Sequence, residues 1–366
     1  MPKQVRHDIF NCLHMKYFIL LLAVAVTCSC RAQVVVKAND PHIHYSGRVA
    51  FTDSAAVLSW SGTSVKINFT GNSVHFRMHD EGDNYFTEVY DGKVIGVIHQ
   101  PNGNTENVLD GLTSGPHSLE LFKRTEWAMG KTLFYDFKID GKILSPPPTK
   151  RRKIEIFGNS ISCGYAILDT TGHDRGSAPY EDGYNSYAAL TARHYDAEFV
   201  NTSKSGIGVT VSWFPLIMPE MYDRLDATDS TSKWDFKKYR PDLVIINLFQ
   251  NDSWIVNLPD NPQFKARFGT KPPTAEFLIN AYRNFVKSVR GKYPKAHIIC
   301  ILGSMDATKA GAPWPGYIEK AVAGLNDKNI YTHIIPYKGT PGHPSAKEQQ
   351  AMATDLEGFI DKTIKW

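Results

Sequence analysis

The sequence predicts two architectures in series: an all-β sandwich or jelly roll over residues 34–147, then a three-layer α/β/α domain on a parallel sheet over residues 148–366. Three observations predict this. From about Val34 to Leu144 the apolar residues come in short runs, several of them alternating, divided by turn residues such as Gly62, Gly71-Asn72 and Gly82-Asp83-Asn84. From Lys153 onward continuous apolar runs alternate with helical periodicity, the pattern of strands buried on both faces between helices. Between the two lies Ser145-Pro146-Pro147-Pro148-Thr149-Lys150, whose prolines fix φ, lack donors and make a stiff extended link.

The chain opens on a targeting signal. Met15-Lys16-Tyr17 precedes the run Phe18–Val26, which has the length of a signal-peptide apolar region and is too short to span a bilayer. Residues 1–33 are therefore assigned to export, with Met1 or Met15 as the start. Two outcomes stay open: cleavage near Ala32 to give a soluble periplasmic or extracellular protein, or a lipid on Cys28 or Cys30 as an outer-membrane anchor. Neither cysteine has a good lipobox, because Ala25 and Thr27 stand where a larger aliphatic residue is usual. The lipid anchor is the one route to a membrane.

At 366 residues, 42% hydrophobic and 21% charged, the chain is long enough to bury two cores. A net charge of +4 with no dense Lys/Arg block argues against nucleic acid as a partner. Of five cysteines, Cys12, Cys28 and Cys30 lie in or beside the targeting segment. The remaining Cys163 and Cys300 exclude a disulfide framework and read as buried thiols. No zinc-like cluster occurs, so neither metal nor cofactor is expected. A monomer is expected.

In the first half, Ala56–Trp60, Ser64–Phe69, Ser73–Met78, Tyr85–Tyr90, Val94–His99, Pro116–Lys123 and Thr132–Ile139 read as strands. About eight strands at this spacing suit a sandwich or jelly roll. In the second half the strands are Lys153–Phe157, Glu198–Asn201, Asp242–Leu248, His297–Leu302 and Tyr331–Ile335. Helices are read over Tyr184–Tyr195, Thr274–Lys292 and Ser345–Thr363. In an open parallel sheet, ligands sit at the strands' C-terminal ends.

Four loops leave those ends. They carry Gly158-Asn159-Ser160, then Ser203-Lys204-Ser205-Gly206-Ile207-Gly208, then Phe249-Gln250-Asn251-Asp252, and last Thr340-Pro341-Gly342-His343-Pro344-Ser345. A serine, a glycine, an asparagine and a histidine in this order resemble the four blocks of the SGNH (GDSL-like) hydrolases. The resemblance implies a serine esterase with Ser160 as nucleophile and His343 as its base. A serine hydroxyl attacks an ester carbonyl only if a base takes its proton, and an imidazole suits that task at neutral pH. The tetrahedral intermediate needs preplaced donors, here the N–H groups of Ser160 and Gly206 and the side-chain amide of Asn251. Taken singly, Gly206 is also an ordinary turn residue, Asn251 a cap and Ser160 a strand-to-helix turn.

Over nearly all of its mature length the chain resembles carbohydrate esterase family 2, which pairs a jelly roll with an SGNH domain. Met218-Pro219-Glu220-Met221-Tyr222-Asp223-Arg224 followed by Pro241–Leu248 carries that likeness. The resemblance implies O-deacetylation of plant-type polysaccharides, xylan or glucomannan, in an aromatic-lined cleft for which Trp213 and Trp254 are candidates; each also fits a core position. It departs from the pattern twice. Asn159 stands where many relatives have aspartate, and Thr340 and Pro341 stand where many SGNH enzymes place an acid before the histidine. The resemblance then implies a Ser160–His343 dyad with a backbone carbonyl near Pro341 orienting the imidazole, and Asp252 as the acid to test against it. Two alternatives stand beside this reading: a non-catalytic carbohydrate-binding protein on an esterase fold, and an SGNH esterase or acyltransferase for another acyl group.

Overall fold

The alternating runs of the first half pair into two six-stranded antiparallel sheets. The computed structural model describes residues 33–366; the predicted targeting segment, with Cys12, Cys28 and Cys30, lies outside the described residues. Twelve strands replace the eight expected. His44–Ser46, Ala50–Phe51 and Lys142–Ile143 are too short to display a period, and Gly103–Leu109 is a polar edge strand paired only with Val74–Asp80. The sheets face each other across Ile67, Phe69, Phe76, Phe86, Leu119, Leu121, Phe134 and Phe137, all at most 1% exposed. Burying each such side chain contributes about 1.5–3 kcal/mol.

After the proline link, five strands form one parallel sheet in the spatial order Ala197–Ser203, Arg152–Gly158, Leu243–Asn247, His297–Leu302, Ile330–Ile334. The second strand in sequence lies on one side of the first and the third lies on the other. The connections therefore reverse direction between Gly158 and Asn247, and a crevice opens at the carboxyl ends of these strands. Alternate residues of one strand serve opposite faces: Val244 and Ile246 join one core cluster, Leu243 and Ile245 the other. Thr274 caps the helix Ala275–Lys292 by accepting the Phe277 N–H at 3.1 Å.

The two halves share cores. Trp60 of the sandwich belongs to the cluster on one face of the parallel sheet and Phe122 to that on the other, and residues 33–366 form one compact unit. Arg48 of the sandwich reaches Glu155, in the first parallel strand, at 2.7 Å with both side chains fully buried. Its Nη1 donates to the carbonyls of Tyr222 and Arg224, each at 2.7 Å. Removing one partner of such a pair costs about 3–5 kcal/mol because the other charge stays buried. The sandwich is thereby a fixed wall of the α/β layer, and its loops reach the catalytic edge described below. Cys163 and Cys300 are free and buried.

Candidate active site

The first strand ends at Gly158, where a Cβ would collide with the Ser162 side chain and lie 2.9 Å from Ser203 Oγ. Asn159 is extended and buried, and its Oδ1 accepts the Ile161 N–H at 3.1 Å, capping the short helix Ser160–Cys163. A cap needs a side-chain oxygen rather than a charge, which is why asparagine serves where aspartate is common. Ser160, 6% exposed, stands on the first residue of that turn.

His343 Nε2 lies 2.7 Å from Ser160 Oγ. On the other side of the ring, Nδ1 lies 2.7 Å from Asp174 Oδ2 and 2.9 Å from Oδ1, and the His343 backbone N–H donates to Oδ1 at 2.8 Å. The structure thus supplies an acid where the sequence predicted a backbone carbonyl. The Pro341 carbonyl accepts from Lys338 Nζ at 2.9 Å instead, within a brace that also joins Thr340 and Glu348. Burial acts to raise the Asp174 carboxyl, but the His343 hydrogen bonds and charge, with Lys338 beyond, outweigh it and hold it below the ordinary aspartate value. The Tyr165 ring lies against the imidazole, centroids 4.5 Å apart, and fills the space a side chain at Gly176 would need.

Asp174 comes from the Gly164–Ser177 stretch, which has neither helix nor strand. Asp169 ties this stretch into a loop by accepting from the Thr171 and Arg175 backbones, both at 2.9 Å, and from the Arg175 guanidinium at 2.9 Å. Asp174 sits at φ +56° and Gly342 at φ +71°, with a Cβ on Gly342 only 3.3 Å from Asp174 Oδ1. Both turns take the left-handed region so that carboxylate and imidazole meet closely.

The second candidate acid, Asp252, is fully buried and faces elsewhere. It accepts from the N–H groups of Val209 (2.9 Å), Thr210 (2.7 Å) and Val211 (3.3 Å) and from Thr210 Oγ1 (2.6 Å). Burial pushes it above its ordinary value against those bonds. It braces the segment after the glycine loop, and a Cβ at Gly208 would collide with it.

Gly206 sits at φ +81°, packed against Trp213 and Phe214. Neither its N–H nor that of Ser160 has an acceptor among the described residues. Asn251 lies at the start of the helix Gln250–Ile255. Its Nδ2 donates to Ile207 O at 2.8 Å and its Oδ1 accepts Trp213 Nε1 at 3.1 Å, which fixes the amide plane and leaves its second amide hydrogen available. Trp213 is 44% exposed beside these groups. Trp254, one turn along the same helix, directs its indole N–H to Asp306 at 3.4 Å, and its partly buried ring packs on the opposite core cluster. A recess of about 870 Å³ between Trp234, Phe236, Pro294 and Trp366 opens at the amino ends of the strands, away from this chemistry. A smaller one of about 350 Å³ adjoins Asp174 and His343.

As a candidate oxyanion donor, Asn251 carries a specific expectation. Asn251→Ala lowers kcat by about 10²–10³ with little change in KM, the scale of one lost donor. Steady-state kinetics on a small acetyl ester check this, and a pure KM effect would place Asn251 in substrate binding instead.

Comparison with known proteins sets this geometry in a family. Residues 45–148 match the model described as carbohydrate esterase 2 N-terminal, and residues 156–331, which include Ser160, Gly206 and Asn251 but end before His343, match the GDSL-like lipase/acylhydrolase family. The chain is 32% identical over 342 residues to cellulase/esterase CelE of Acetivibrio thermocellus; the match takes in 90% of this chain but 40% of the relative's length. An acetylxylan esterase/glucomannan deacetylase of Cellvibrio japonicus is 24% identical over 354 residues, covering 90% of this chain and 91% of that protein. Among solved structures, a family two carbohydrate esterase from Clostridium thermocellum in complex with cellohexaose is 32% identical, with a TM-score of 0.78 over 87% of this chain and 98% of that one. The chain belongs to carbohydrate esterase family 2.

Proposed function

We propose that this chain is an exported serine esterase that removes O-acetyl groups from plant-type polysaccharides such as xylan and glucomannan. The observation that carries the reading is the line Ser160 Oγ, His343 Nε2, His343 Nδ1, Asp174 Oδ2, with 2.7 Å at each hydrogen bond, at the carboxyl edge of the sheet. Ser160 Oγ attacks the acetyl carbonyl as His343 Nε2 takes its proton. The negative charge on the carbonyl oxygen meets the N–H groups of Ser160 and Gly206 and the Asn251 amide. His343 then returns the proton to the departing sugar oxygen, leaving acetyl-Ser160. In the second half His343 takes a proton from water, which attacks the acetyl-enzyme; acetate leaves and Ser160 recovers its proton. Asp174 keeps the Nδ1–H directed at itself and stabilises the imidazolium formed in both halves.

Support for the substrate comes from the Cellvibrio japonicus relative, an acetylxylan esterase/glucomannan deacetylase, and from the cellohexaose complex of a family member. The exposed Trp213 face beside the donors suits stacking on a sugar ring. Export rests on the Phe18–Val26 run; among the described residues no helix is long and apolar enough to cross a membrane. The test is acetate release from a panel of acetylated xylan, glucomannan, pectin and chitin oligosaccharides. Xylan and glucomannan are expected to lead. Hydrolysis of small acetyl esters without release from any glycan would overturn the polysaccharide assignment.

A further inference from the structure

The turn Lys204–Ile207, which presents the Gly206 N–H, has its other three N–H groups committed. Lys204 donates to Gly158 O at 3.3 Å, Ile207 to Lys204 O at 3.3 Å, and Ser205 to Glu126 Oε2 at 2.9 Å. Glu126 does not belong to the α/β layer. It follows the sandwich strand Pro116–Lys123 and is 1% exposed. Its neighbour Trp127 and the loop residue Phe214 enclose the Lys204 ammonium, at 3.9 and 4.5 Å from their ring centroids. Glu126 is itself held: its N–H donates to Glu181 Oε2 at 2.9 Å, Arg124 pairs with Asp182 at 2.7 Å, and the Gly183 N–H donates to Arg124 O at 2.9 Å.

We propose that Glu126, supplied by the sandwich, is a positioning residue that sets the direction of the Gly206 N–H in the oxyanion site. The inference rests on the reading of Gly206 as an oxyanion donor. At φ +81° Gly206 has no side chain to stiffen the turn, so the adjoining peptide can rotate unless it is tied from outside. The Glu126–Ser205 bond fixes the peptide plane just before the one that carries the Gly206 N–H. Such a donor acts only when it is aimed before the charge develops. A join made for stability alone would not take this form. It leaves Trp127 Nε1 buried without a protein partner and sets two buried carboxyls side by side, where burial, and then the charge of Glu126 and a hydrogen bond to it, push the Glu181 carboxyl well above its ordinary value. Apolar residues join buried layers at least as well.

Glu126→Met keeps the volume and removes the acceptor, whereas Glu126→Gln keeps a carbonyl oxygen for the Ser205 N–H. Rates on a small acetyl ester are normalised to serine titrated with an organophosphate, and melting is followed in parallel. The Met variant is expected to lose kcat by about 10–10²-fold with KM within about threefold, less than the 10²–10³ of a deleted donor. Its Tm should fall by no more than the one orphaned Ser205 N–H entails, and the Gln variant should recover most of the rate. The proposal is overturned if the Met variant keeps kcat within about twofold of the parent, if Met and Gln lose rate equally, or if the Met variant fails to fold, since the carboxylate would then serve the fold. Ser160→Ala in the same assay separates the two readings. Residual full activity there would sink the esterase mechanism itself, whereas an inactive Ser160→Ala beside an unaffected Glu126→Met sinks only the role of Glu126.

Discussion

Ser160→Ala abolishes ester hydrolysis while the protein stays folded. The expected fall in kcat/KM on a small acetyl ester is on the order of 10⁶, the scale seen when a serine hydrolase loses its nucleophile. No other hydroxyl can take over, because the base addresses Ser160 Oγ alone: His343 Nε2 is 2.7 Å from it, and Ser162, the next serine on the turn, is turned away to Tyr187 OH at 2.8 Å. The fold loses little. The Asn159 cap uses the Ile161 N–H, and the Ser160 carbonyl, not its side chain, accepts from Gly164 and Tyr165. Alanine also has the higher helix propensity on the first residue of the turn. Circular dichroism melts and organophosphate labelling accompany the kinetics: melting should be nearly unchanged and labelling lost. Activity within about tenfold of the parent would remove Ser160 from the mechanism.

The four loops were legible because each carries a residue whose chemistry a strand end or turn exposes. The strands were legible because runs such as Leu243–Asn247 are buried on both faces, and burial on both faces tolerates few polar residues. Glu155 breaks that pattern in the middle of the first parallel strand, and its answer is Arg48, more than a hundred residues earlier and in another architecture. Pairing across that separation leaves no local mark. The same is true of Glu126, which reads as one residue in the turn after a strand until the glycine loop is folded against it. Asp174 was missed for a different reason. The family pattern points to the residues before His343, where Thr340 and Pro341 stand, and the loop contents point to Asp252 beside Asn251, whereas a triad needs closeness in space only. One signal was present: a long stretch after the nucleophile turn, rich in Gly, Asp and Thr, with no helical or strand period. Stretches of that length inside a compact domain are usually functional. The contacts of Trp254, to Asp306 and to the core, left no mark in its adjacency to Asn251, because their partners lie far along the chain.

Asp174→Asn lowers kcat by about 10³–10⁴, the loss expected when the acid of a triad becomes an amide. The amide keeps the size and can accept through its oxygen, but it carries no charge for the imidazolium and can offer an N–H to Nδ1, which favours the wrong tautomer. In the parent, Asp174 is held below its ordinary value, so its charge, and the part of the rate that depends on it, is lost only as pH falls through that lowered value. Loss of the charge lowers kcat with Tm nearly unchanged, whereas mere loosening of the loop would lower Tm as well. Asp252→Asn is the contrasting variant. Its carboxylate receives three backbone N–H groups and reaches no part of the imidazole, so its cost should appear in Tm, through about 1–3 kcal/mol for each donor left unpaired. Its kcat, per folded molecule, should stay within about tenfold of the parent, far from the loss of a triad acid. If Asp174→Asn also stays within that tenfold, the carboxylate only anchors the His343 backbone through the 2.8 Å bond to its N–H, and the serine and histidine act as a pair.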